Sequence, residues 1–549
     1  MNPRLMFVVV CVVLAGVVLE ARLAQLYFIE KDFLQDQGDA RTIRMERINA
    51  HRGMIRDRLG KPMAVSSPVV SLWANPKEIT RNEEKLRDLA GFLGVSYESF
   101  MEKIDRNQSR NFVYLRRHLP PAEARKVMAL GVSGVFEEKE YHRFYPGGEV
   151  SAHVVGFTDI DDQGQEGLEL SFDEWLSGEP GKKKVLKNLY GEIVKDLMPV
   201  KDAAPGKNLD LSIDLRLQYL AYQELKSAIS HYDAVSGSVV ILDVPTGQVL
   251  AMVNQPSYNP NNRLNLDLAT VRNRAATDEF EPGSTVKPFT VAVALQSGYN
   301  AESEIDTDPG FVRVGNFTIR DPSNRGVLNL SQIIAKSSQV GISKLALTLN
   351  EYDVWALFQN VGFGQSTGFG FPGERAGYLP NHRRWTDIER ATFAYGYGLT
   401  VTPLQLASAY LAIASGGMRR DVTLLNNVEV NETRVFTQDV ANSINLMLRA
   451  VVTEGTGSKA AIPAYQVAGK TGTVRKIGEE GYEDTQHIAF FAGMTPADDP
   501  RLVAVVLINE PQTKEYGGGA LAAPVFSRVM GGALRLLNVP PKVSVVASR

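Results

Sequence analysis

The stretch Glu281-Pro282-Gly283-Ser284-Thr285-Val286-Lys287 decides how the rest of the chain is interpreted. Its proline and glycine permit a sharp entry into a helix that is predicted to start at Ser284. Pro288 is tolerated in the first helical turn, because the N–H that it lacks would have no partner there. Residues i and i+3 share a helix face, so the amine of Lys287 can approach the hydroxyl of Ser284. This S-x-x-K spacing predicts a serine nucleophile with a lysine base.

The helix start would also help a nucleophile at this position. A serine there lies in the positive field of the helix dipole, beside unpaired N–H groups that can stabilise an oxyanion. A helix-capping serine followed by an exposed lysine is the alternative interpretation. Taken alone, the motif does not distinguish the two.

A second motif, Lys470-Thr471-Gly472-Thr473, favours the catalytic interpretation. Small and apolar neighbours predict a strand edge that lines a cleft. Lys470 could hold a substrate carboxylate or tune the other lysine, and Gly472 would let a backbone approach closely. The hydroxyls of Thr471 and Thr473 are donors for an anion. The alternative is an exposed strand end that leads into a charged loop at 475–484.

Three other patterns are weaker. Gly364–Gly368 matches G-x-S-x-G, but glycines follow it where a nucleophile elbow needs a helix, so a glycine-rich loop is predicted. Gly469-Lys470-Thr471 resembles the end of a phosphate-binding loop, but Ala464 stands where its first glycine should be. The seven histidines show no metal-binding spacing. We therefore expect no metal and no cofactor.

The composition is that of a globular chain with several domains. Its 549 residues correspond to roughly three to four domains of about 150 residues. Hydrophobic residues make up 44% and charged residues 22%, which argues against a disordered chain. The formal net charge of −3 provides no bulk attraction for nucleic acid. The single cysteine, Cys11, excludes an intrachain disulfide and a cysteine-based metal cage.

The N-terminal segment is predicted to be an uncleaved membrane anchor over residues 5–29. Leu5–Leu19 is uncharged, and apolar residues resume after Glu20 and Arg22. A cleaved signal peptide and a buried soluble helix are the alternatives, but no small-x-small cleavage site directly follows the run. Arg4 favours a cytoplasmic N-terminus of residues 1–4, with the bulk of the chain outside the cytoplasm.

The segment 30–211 is polar and turn-rich. A helix is predicted at Glu83–Leu93, and Gly178–Lys184 is interpreted as a turn with a solvated charge run. No chemical motif is visible in this segment. A structural module that holds another domain away from the membrane is the simplest interpretation.

The segment 212–540 begins with a helical pattern and a strand–turn–strand hairpin. Strands then flank a long helical middle, which predicts an α+β domain with helices packed on an antiparallel sheet. Residues 541–549 form a predicted tail. The other predicted elements are strands at Ile488–Gly493 and Leu502–Leu507, and helices near Ser331, at Pro403–Ser415 and at Val440–Val452.

The two motifs together resemble the penicillin-binding protein and serine β-lactamase superfamily, and the resemblance extends over nearly the whole chain. The first half is similar to the pedestal, a dimerisation-type domain, of the class B penicillin-binding proteins. That similarity rests on Arg52-Gly53-Met54-Ile55, Asp57-Arg58, Gly60, Arg143, Tyr145-Pro146, Gly164, Gly167 and Glu169. Within the family the chain is most similar to the cell-division transpeptidases. The segments that carry this are Arg384–Thr392, Tyr395–Gly398, Tyr516–Gly519 and Ala523–Phe526.

The resemblance implies a fold and a reaction. The implied fold is α+β: a penicillin-binding/serine β-lactamase-like transpeptidase domain after a transmembrane helix and an elongated mixed α/β pedestal. The implied enzyme crosslinks peptidoglycan stem peptides through an acyl-enzyme on Ser284, with Lys287 as base and Ser337 as proton relay. β-Lactams would acylate the same serine. No cofactor is implied.

The resemblance also implies partners and a place. A membrane-embedded septal glycan polymerase and other divisome proteins would bind a single-pass protein of the bacterial inner membrane, with its bulk in the periplasm. No nucleic acid partner is expected.

One position departs from the family pattern. The second family motif is S-x-N or S-x-D, and the chain has Ser337-Ser338-Gln339 at the expected helix. Glutamine keeps the amide but adds a methylene, so Gln339 leaves the rate and the response to β-lactams open. Ser443-Ile444-Asn445 is a literal S-x-N, but it lies in a helical stretch shortly before Lys470, so Ser337 is preferred.

Three other functions share these motifs. A carboxypeptidase or β-lactamase would activate water on the acyl-enzyme. A catalytically impaired divisome scaffold is motivated by Gln339. A β-lactam-sensing receptor is disfavoured, because the sequence has one membrane segment and no recognisable cytoplasmic effector region.

Overall fold

The computed structural model describes residues 3–34, 42–187, 193–478 and 481–541. They divide into two compact units that alternate along the chain. The first unit takes its residues from 1–52, 67–142 and 177–207, and the second from 53–66, 143–176 and 208–549.

The strands and helices of the described residues are numbered here in chain order. The strands are β1 (Ile43–Ile48), β2 (Ile55–Arg56), β3 (Pro62–Ala74), β4 (Val113–Leu119), β5 (Val135–Phe144), β6 (Phe157–Thr158), β7 (Gly164–Glu166), β8 (Gly181–Lys187), β9 (Ile193–Lys201), β10 (Leu209–Asp210), β11 (Ser236–Asp243), β12 (Val249–Gln255), β13 (Glu304–Asp306), β14 (Phe311–Val314), β15 (Phe317–Arg320), β16 (Val327–Asn329), β17 (Met418–Arg420), β18 (Glu432–Arg434), β19 (Ala468–Gly478), β20 (Gly481–Thr495) and β21 (Leu502–Asn509). The helices are α1 (Pro3–Ala24), α2 (Glu83–Leu93), α3 (Tyr97–Arg106), α4 (Pro121–Met128), α5 (Ala152–Val155), α6 (Gly167–Ser171), α7 (Asp173–Leu176), α8 (Leu215–His231), α9 (Arg274–Thr277), α10 (Lys287–Gln296), α11 (Leu330–Lys336), α12 (Gln339–Thr348), α13 (Glu351–Asn360), α14 (Asp387–Phe393), α15 (Pro403–Ala414), α16 (Gln438–Thr453) and α17 (Gly518–Leu536).

The second unit is built on an antiparallel sheet with strand order β12-β11-β21-β20-β19. Its strands are apolar on both faces because helices cover both faces. In β11, Val240 and Leu242 enter one hydrophobic core and Val239 and Ile241 the other. The first core includes α10, α15 and α16, and the second includes α8 and α17. The predicted α+β architecture is confirmed.

The sheet leaves β19 as an edge strand, and this placement matters for the site. Its inner neighbour β20 pairs with it from Ala468↔Met494 to Gly478↔Gly481. Strand β19 also neighbours the turn that carries Ser284, where Gly283 packs against the Val474 side chain. The charged loop predicted at 475–484 is instead largely the continuation of this β19–β20 hairpin.

The second unit also explains several residues that carry the family resemblance. Arg143 and Glu169 form an ion pair with an Nε–Oε1 distance of 2.6 Å, and both side chains are buried. Arg143 also donates to the hydroxyl of Ser66 at 3.1 Å. Removing one partner of such a buried pair typically costs about 3–5 kcal/mol of stability. These residues therefore have a structural role.

The first unit contains a helical layer and two groups of strands. Helices α2, α3 and α4 share a core with β3 and β5, and α2 covers Glu83–Leu93 as predicted. Strand β3 pairs with β4 and β5. A separate three-stranded sheet has the order β1-β8-β9. The turn predicted at Gly178–Lys184 is wrong, because Gly181–Lys187 is the central strand of that sheet. The backbone of its lysines pairs with β1 on one side and with β9 on the other.

The N-terminal helix fits the predicted membrane anchor. Helix α1 continues through a π-helical turn, so the helical segment is Pro3–Ile29. In the described part of the chain, it is the one helix that is long and apolar enough to cross a membrane. None of the side chains of α1 is buried against the described residues of the chain.

Candidate active site

The predicted nucleophile lies in a tight turn before a helix. Gly283–Val286 is a 3₁₀ turn, and α10 begins only at Lys287. The prediction that the helix starts at Ser284 is therefore wrong by one turn, although Pro288 does fall in the first helical turn. Gly283 has a φ of +48°, and a Cβ there would lie 2.7 Å from Cγ1 of Val474. Ser284 is half-buried beside this contact.

Two buried lysines meet at one serine hydroxyl. Lys287 Nζ donates to the carbonyl oxygen of Ser337 at 2.7 Å and to its Oγ at 3.2 Å. Lys470 Nζ donates to the same Oγ at 3.0 Å. Both lysine side chains are fully buried. The structure thus brings Lys287, Ser337 and Lys470 together. The amine of Lys287 has its hydrogen bonds with Ser337, and its predicted approach to Ser284 stays a prediction.

Burial changes the protonation of both lysines, because it penalises a charged amine. Burial lowers the pKa of Lys470 to about 7. The pKa of Lys287 is lowered well below the ordinary lysine value, first by burial and then by repulsion from Lys470. Arg325 lowers this pKa further, whereas the carboxylate of Asp321 raises it. A neutral Lys287 can accept a proton, which is what a general base must do.

Ser337 reaches this position because its backbone is left-handed. Helix α11 ends at Lys336, and Ser337 has φ and ψ of 57° and 38°. For a residue with a side chain this conformation costs about 1–2 kcal/mol. Helix α12 then begins at Gln339, with Ser338 as its N-cap. The backbone reversal directs both oxygens of Ser337 at the lysine amines.

Asp321 holds this reversal in place, and the sequence analysis missed it. Its carboxylate accepts from the hydroxyl of Ser338 at 2.5 Å, from the Gln339 N–H at 2.6 Å and from the Val340 N–H at 3.2 Å. Asp321 is itself largely buried. In the sequence, Asp321-Pro322-Ser323 has the pattern of an ordinary turn, so no local signal marks this residue.

Gln339 is the first residue of helix α12 and is half-buried. Its N–H donates to Asp321, which fixes the backbone at this residue. A shift of the backbone therefore cannot compensate for a side chain that is longer than the asparagine of the family pattern. The extra methylene therefore places the amide about one bond length, roughly 1.5 Å, farther from the backbone than an asparagine would. Ser443-Ile444-Asn445, the alternative motif, lies within α16, and the Asn445 amide donates to the Met494 sulfur at 3.6 Å.

The second motif lies on the edge strand β19. The hydroxyls of Thr471 and Thr456 are 2.7 Å apart, and the hydroxyl of Thr473 accepts from the Gly518 N–H at 2.9 Å. A Cβ on Gly472 would lie 2.0 Å from the Phe490 ring, so only glycine fits. Because Gly469-Lys470-Thr471 is strand, it cannot open a helix as a phosphate-binding loop does.

A second buried carboxylate supports the nucleophile turn. Glu281 accepts from the Gly398 N–H at 2.9 Å and from the hydroxyl of Tyr482 at 3.0 Å. A Cβ on Gly396 would lie 2.3 Å from the Gly283 carbonyl oxygen. Burial raises the pKa of Glu281. The segment Tyr395–Gly398 carried the resemblance, but the sequence did not show that it packs on the Ser284 turn.

The rival G-x-S-x-G pattern is a loop, as predicted. No helix follows Gly364–Gly368, and the hydroxyl of Ser366 donates to Glu374 at 2.8 Å. Ser366 has the surroundings of a loop serine tied to a carboxylate, with no lysine or histidine base among its hydrogen-bond partners in the described residues.

The fold and the lysine–serine centre define a class of serine enzymes that work through S-x-x-K and K-T-G motifs. Two family models match the chain: "Penicillin-binding Protein dimerisation domain" over residues 47–211 and "Penicillin binding protein transpeptidase domain" over residues 237–531. The chain belongs to the class B penicillin-binding proteins.

Curated relatives and a solved structure agree with this assignment. Peptidoglycan D,D-transpeptidase FtsI of Escherichia coli K12 is 43% identical over 97% of this chain and 91% of its own length. The probable peptidoglycan D,D-transpeptidase PbpC of Pseudomonas aeruginosa is 42% identical over 98% and 96%. Penicillin binding protein 3 of Mycobacterium tuberculosis, solved with ampicillin, is 27% identical with a TM-score of 0.71, over 90% of this chain and 97% of its own.

The contacts of Asp321 predict a loss of activity with little loss of fold. In Asp321→Asn the carboxylate that accepts three hydrogen bonds becomes an amide, so Ser337 loses its fixed position. We expect acylation by a fluorescent penicillin to slow by about 10–100-fold, because small misplacements of reacting groups cost this much. Asp353→Asn, on the exposed side of α13, is the matched control. An unchanged rate in Asp321→Asn would contradict this role.

The charge of Lys470 predicts a shift in pH dependence. Repulsion from Lys470 lowers the pKa of Lys287, so a neutral residue at 470 lets that pKa rise. A base with a raised pKa is protonated up to a higher pH. In Lys470→Met, the acidic limb of the pH profile of acylation should therefore move to higher pH. This shift is distinct from any loss of rate that is equal at all pH values. Lys459→Met, an exposed lysine, should leave the limb in place. A limb that stays fixed in Lys470→Met would refute the coupling.

Proposed function

We propose that the chain is a serine D,D-transpeptidase that crosslinks peptidoglycan stem peptides during septal cell-wall synthesis and is inhibited by β-lactams. The observation that carries the proposal is the Lys287–Ser337–Lys470 centre beside the Ser284 turn. The peptidoglycan D,D-transpeptidase relatives that align over nearly the whole chain support it.

The first half of the reaction forms an acyl-enzyme. The Ser284 hydroxyl attacks the carbonyl carbon between the last two D-Ala residues, and its proton passes to the neutral amine of Lys287. The tetrahedral intermediate collapses, the C–N bond breaks, and the terminal D-Ala leaves with a proton relayed through Ser337. The two lysine amines that share the hydroxyl of Ser337 offer a short path for that proton.

The oxyanion needs donors that are already in place. We assign this role to the backbone N–H groups of Ser284 and Thr473, and loss of one such donor typically costs about 10²–10³ in kcat. A stem peptide can add as a further strand along the free edge of β19. Thr471, Gly472 and Thr473 then line its backbone, and a charged Lys470 holds its terminal carboxylate.

The second half of the reaction resolves the acyl-enzyme. The amine of a neighbouring stem peptide attacks the ester carbonyl, its lost proton returns through Lys287 to the Ser284 oxygen, and a new peptide bond joins the two strands. A hydrolase would use water at this step. A β-lactam mimics the first half, because its ring amide opens on Ser284 but its leaving amine stays attached.

The organisation of the chain fits a tethered enzyme. We propose residues 1–4 as a cytoplasmic N-terminus, 5–29 as the anchor, 30–211 as a pedestal, 212–540 as the transpeptidase domain and 541–549 as a tail. The tail from residue 542 onward lies outside the described residues. The matches of the two family models at 47–211 and 237–531 support the two main boundaries. The bulk would lie in the periplasm. A membrane-embedded septal glycan polymerase and other divisome proteins would be its partners.

Labelling by a fluorescent penicillin tests the nucleophile. The detergent-solubilised full chain should form a covalent adduct that persists, and Ser284→Ala should abolish it because the attacking oxygen is gone. Ser366→Ala, the serine of the rival motif, is the matched control and should label normally. Labelling lost in Ser366→Ala but kept in Ser284→Ala would refute the assignment. If the parent protein is not labelled, the result favours a catalytically impaired scaffold. If the label forms and is then lost rapidly, the result favours a hydrolase.

The glutamine at position 339 gives a separate prediction. Gln339→Asn shortens the side chain and restores the amide of the family pattern, so acylation by penicillins with an amide side chain should accelerate. The penicillin nucleus without that side chain cannot contact the amide and should react at an unchanged rate. The ratio of the two second-order rate constants is the measurement. An equal change with both compounds would show that Gln339 acts through the fold instead.

A further inference from the structure

Four basic residues lie on one face of the three-stranded sheet β1-β8-β9. Arg47 is directly opposite Lys182, and Lys182 is directly opposite Lys201, so three cations form a row across the strands. In the adjacent row, Lys184 lies between Met45 and Met198. We call these six residues the basic face.

The alternation of burial along β8 shows that this face is turned to solvent. Lys182 and Lys184 are exposed, whereas Lys183 is half-buried and Val185 is fully buried. Lys183 lies on the opposite face, where it contacts carboxylates of both neighbouring strands, Glu46 and Asp196. The sheet therefore neutralises the lysine on its inner face and leaves the outer face basic.

The row of cations works against the stability of the sheet itself. Like charges directly opposite each other on neighbouring strands are destabilising. Lys201 has an ion pair with Glu179 at 2.7 Å. In the described part of the chain, Arg47, Lys182 and Lys184 form no ion pair. The chain as a whole has a net charge of −3, so composition does not explain this local excess.

Apolar side chains are exposed among these charges. Met45 and Met198 are 52% and 57% exposed, and Val200, next to Lys201, is 50% exposed. Unbranched methionines adapt to irregular apolar surroundings. Basic residues mixed with exposed apolar ones are typical of a surface that lies against the headgroups of an anionic membrane.

The position of the sheet in the chain makes a membrane accessible to it. The apolar helical segment ends at Ile29 and β1 begins at Ile43. The fourteen steps between these residues can span at most about 50 Å. The basic face is thus tethered within reach of the bilayer that holds the helix.

We infer that the basic face binds anionic phospholipid headgroups of the membrane in which the chain is anchored. The lysines and the arginine contact phosphates, while the methionine side chains enter the headgroup layer. The row of like charges is relieved when phosphates lie between them. This inference rests on the proposed membrane anchor, and it is independent of the proposed reaction.

An environment-sensitive fluorophore tests the contact. The full chain with Cys11→Ser and Met198→Cys, labelled at residue 198, is placed in nanodiscs of phosphatidylcholine alone or with phosphatidylglycerol. With the anionic lipid we expect a blue-shifted emission with roughly twofold or greater intensity, since attraction grows with each basic residue near the surface. High salt should reverse the change, because it screens exposed charges. Co-elution of the chain with the discs reports separately on the anchor.

Charge variants decide whether the basic face causes the signal. Lys182→Gln with Lys184→Gln should abolish the dependence on phosphatidylglycerol. The matched control, Lys103→Gln with Lys126→Gln, removes two exposed lysines from helices of the same unit and should keep it. Both variants should be acylated by penicillin at the parent rate. Equal emission in both kinds of disc would overturn the inference. So would a shift that survives the first variant or that needs an added protein partner.

Discussion

The site depends on one constraint: two fully buried lysine amines must both contact the hydroxyl of one serine. Burial removes the solvent that would keep both amines charged and so lowers the pKa of each, and the charge of Lys470 lowers the pKa of Lys287 further. Lys287 reaches the hydroxyl from a helix, Lys470 from a strand, and Ser337 from a reversal between two helices. The three elements are far apart in sequence. The fold must therefore hold their side chains in fixed positions relative to one another, to within a fraction of an ångström.

The architecture supplies that precision by enclosing the central sheet between two cores. Strand β21, with its continuous run of apolar residues, is buried on both faces, and β19 is held through β20. The sheet nevertheless keeps one edge strand next to the Ser284 turn. An unpaired edge is normally a hazard for aggregation. In the function proposed above, this same edge receives the stem peptide as a further strand, so the hazard and the proposed function would share one cause.

The parts that could be predicted from the sequence are those set by local pattern. Helix α2, the central hairpin and the apolar strand at residue 502 follow from periodicity, and the S-x-x-K and K-T-G motifs follow from spacing. The roles of Asp321 and Glu281 could not be predicted from the sequence. Each carboxylate accepts a hydrogen bond from a backbone N–H that is distant in sequence, and no local pattern marks such a contact. The strand Gly181–Lys187 could not be predicted from local pattern, because Gly178–Lys184 has the glycine, proline and charged residues that are typical of a solvated turn. The pairing of this strand with β1 joins segments that are distant in sequence.

The Phe490 ring beneath Gly472 has a consequence for how this enzyme can evolve. No side chain fits on that glycine, so position 472 of β19 offers selection almost no viable variation. The start of α12, at Gln339, already carries a longer amide than the family pattern. Under pressure from antibiotics, we therefore expect inherited resistance to change residues at the start of α12 sooner than Gly472. An inhibitor that takes its affinity from the strand would be the harder one to escape.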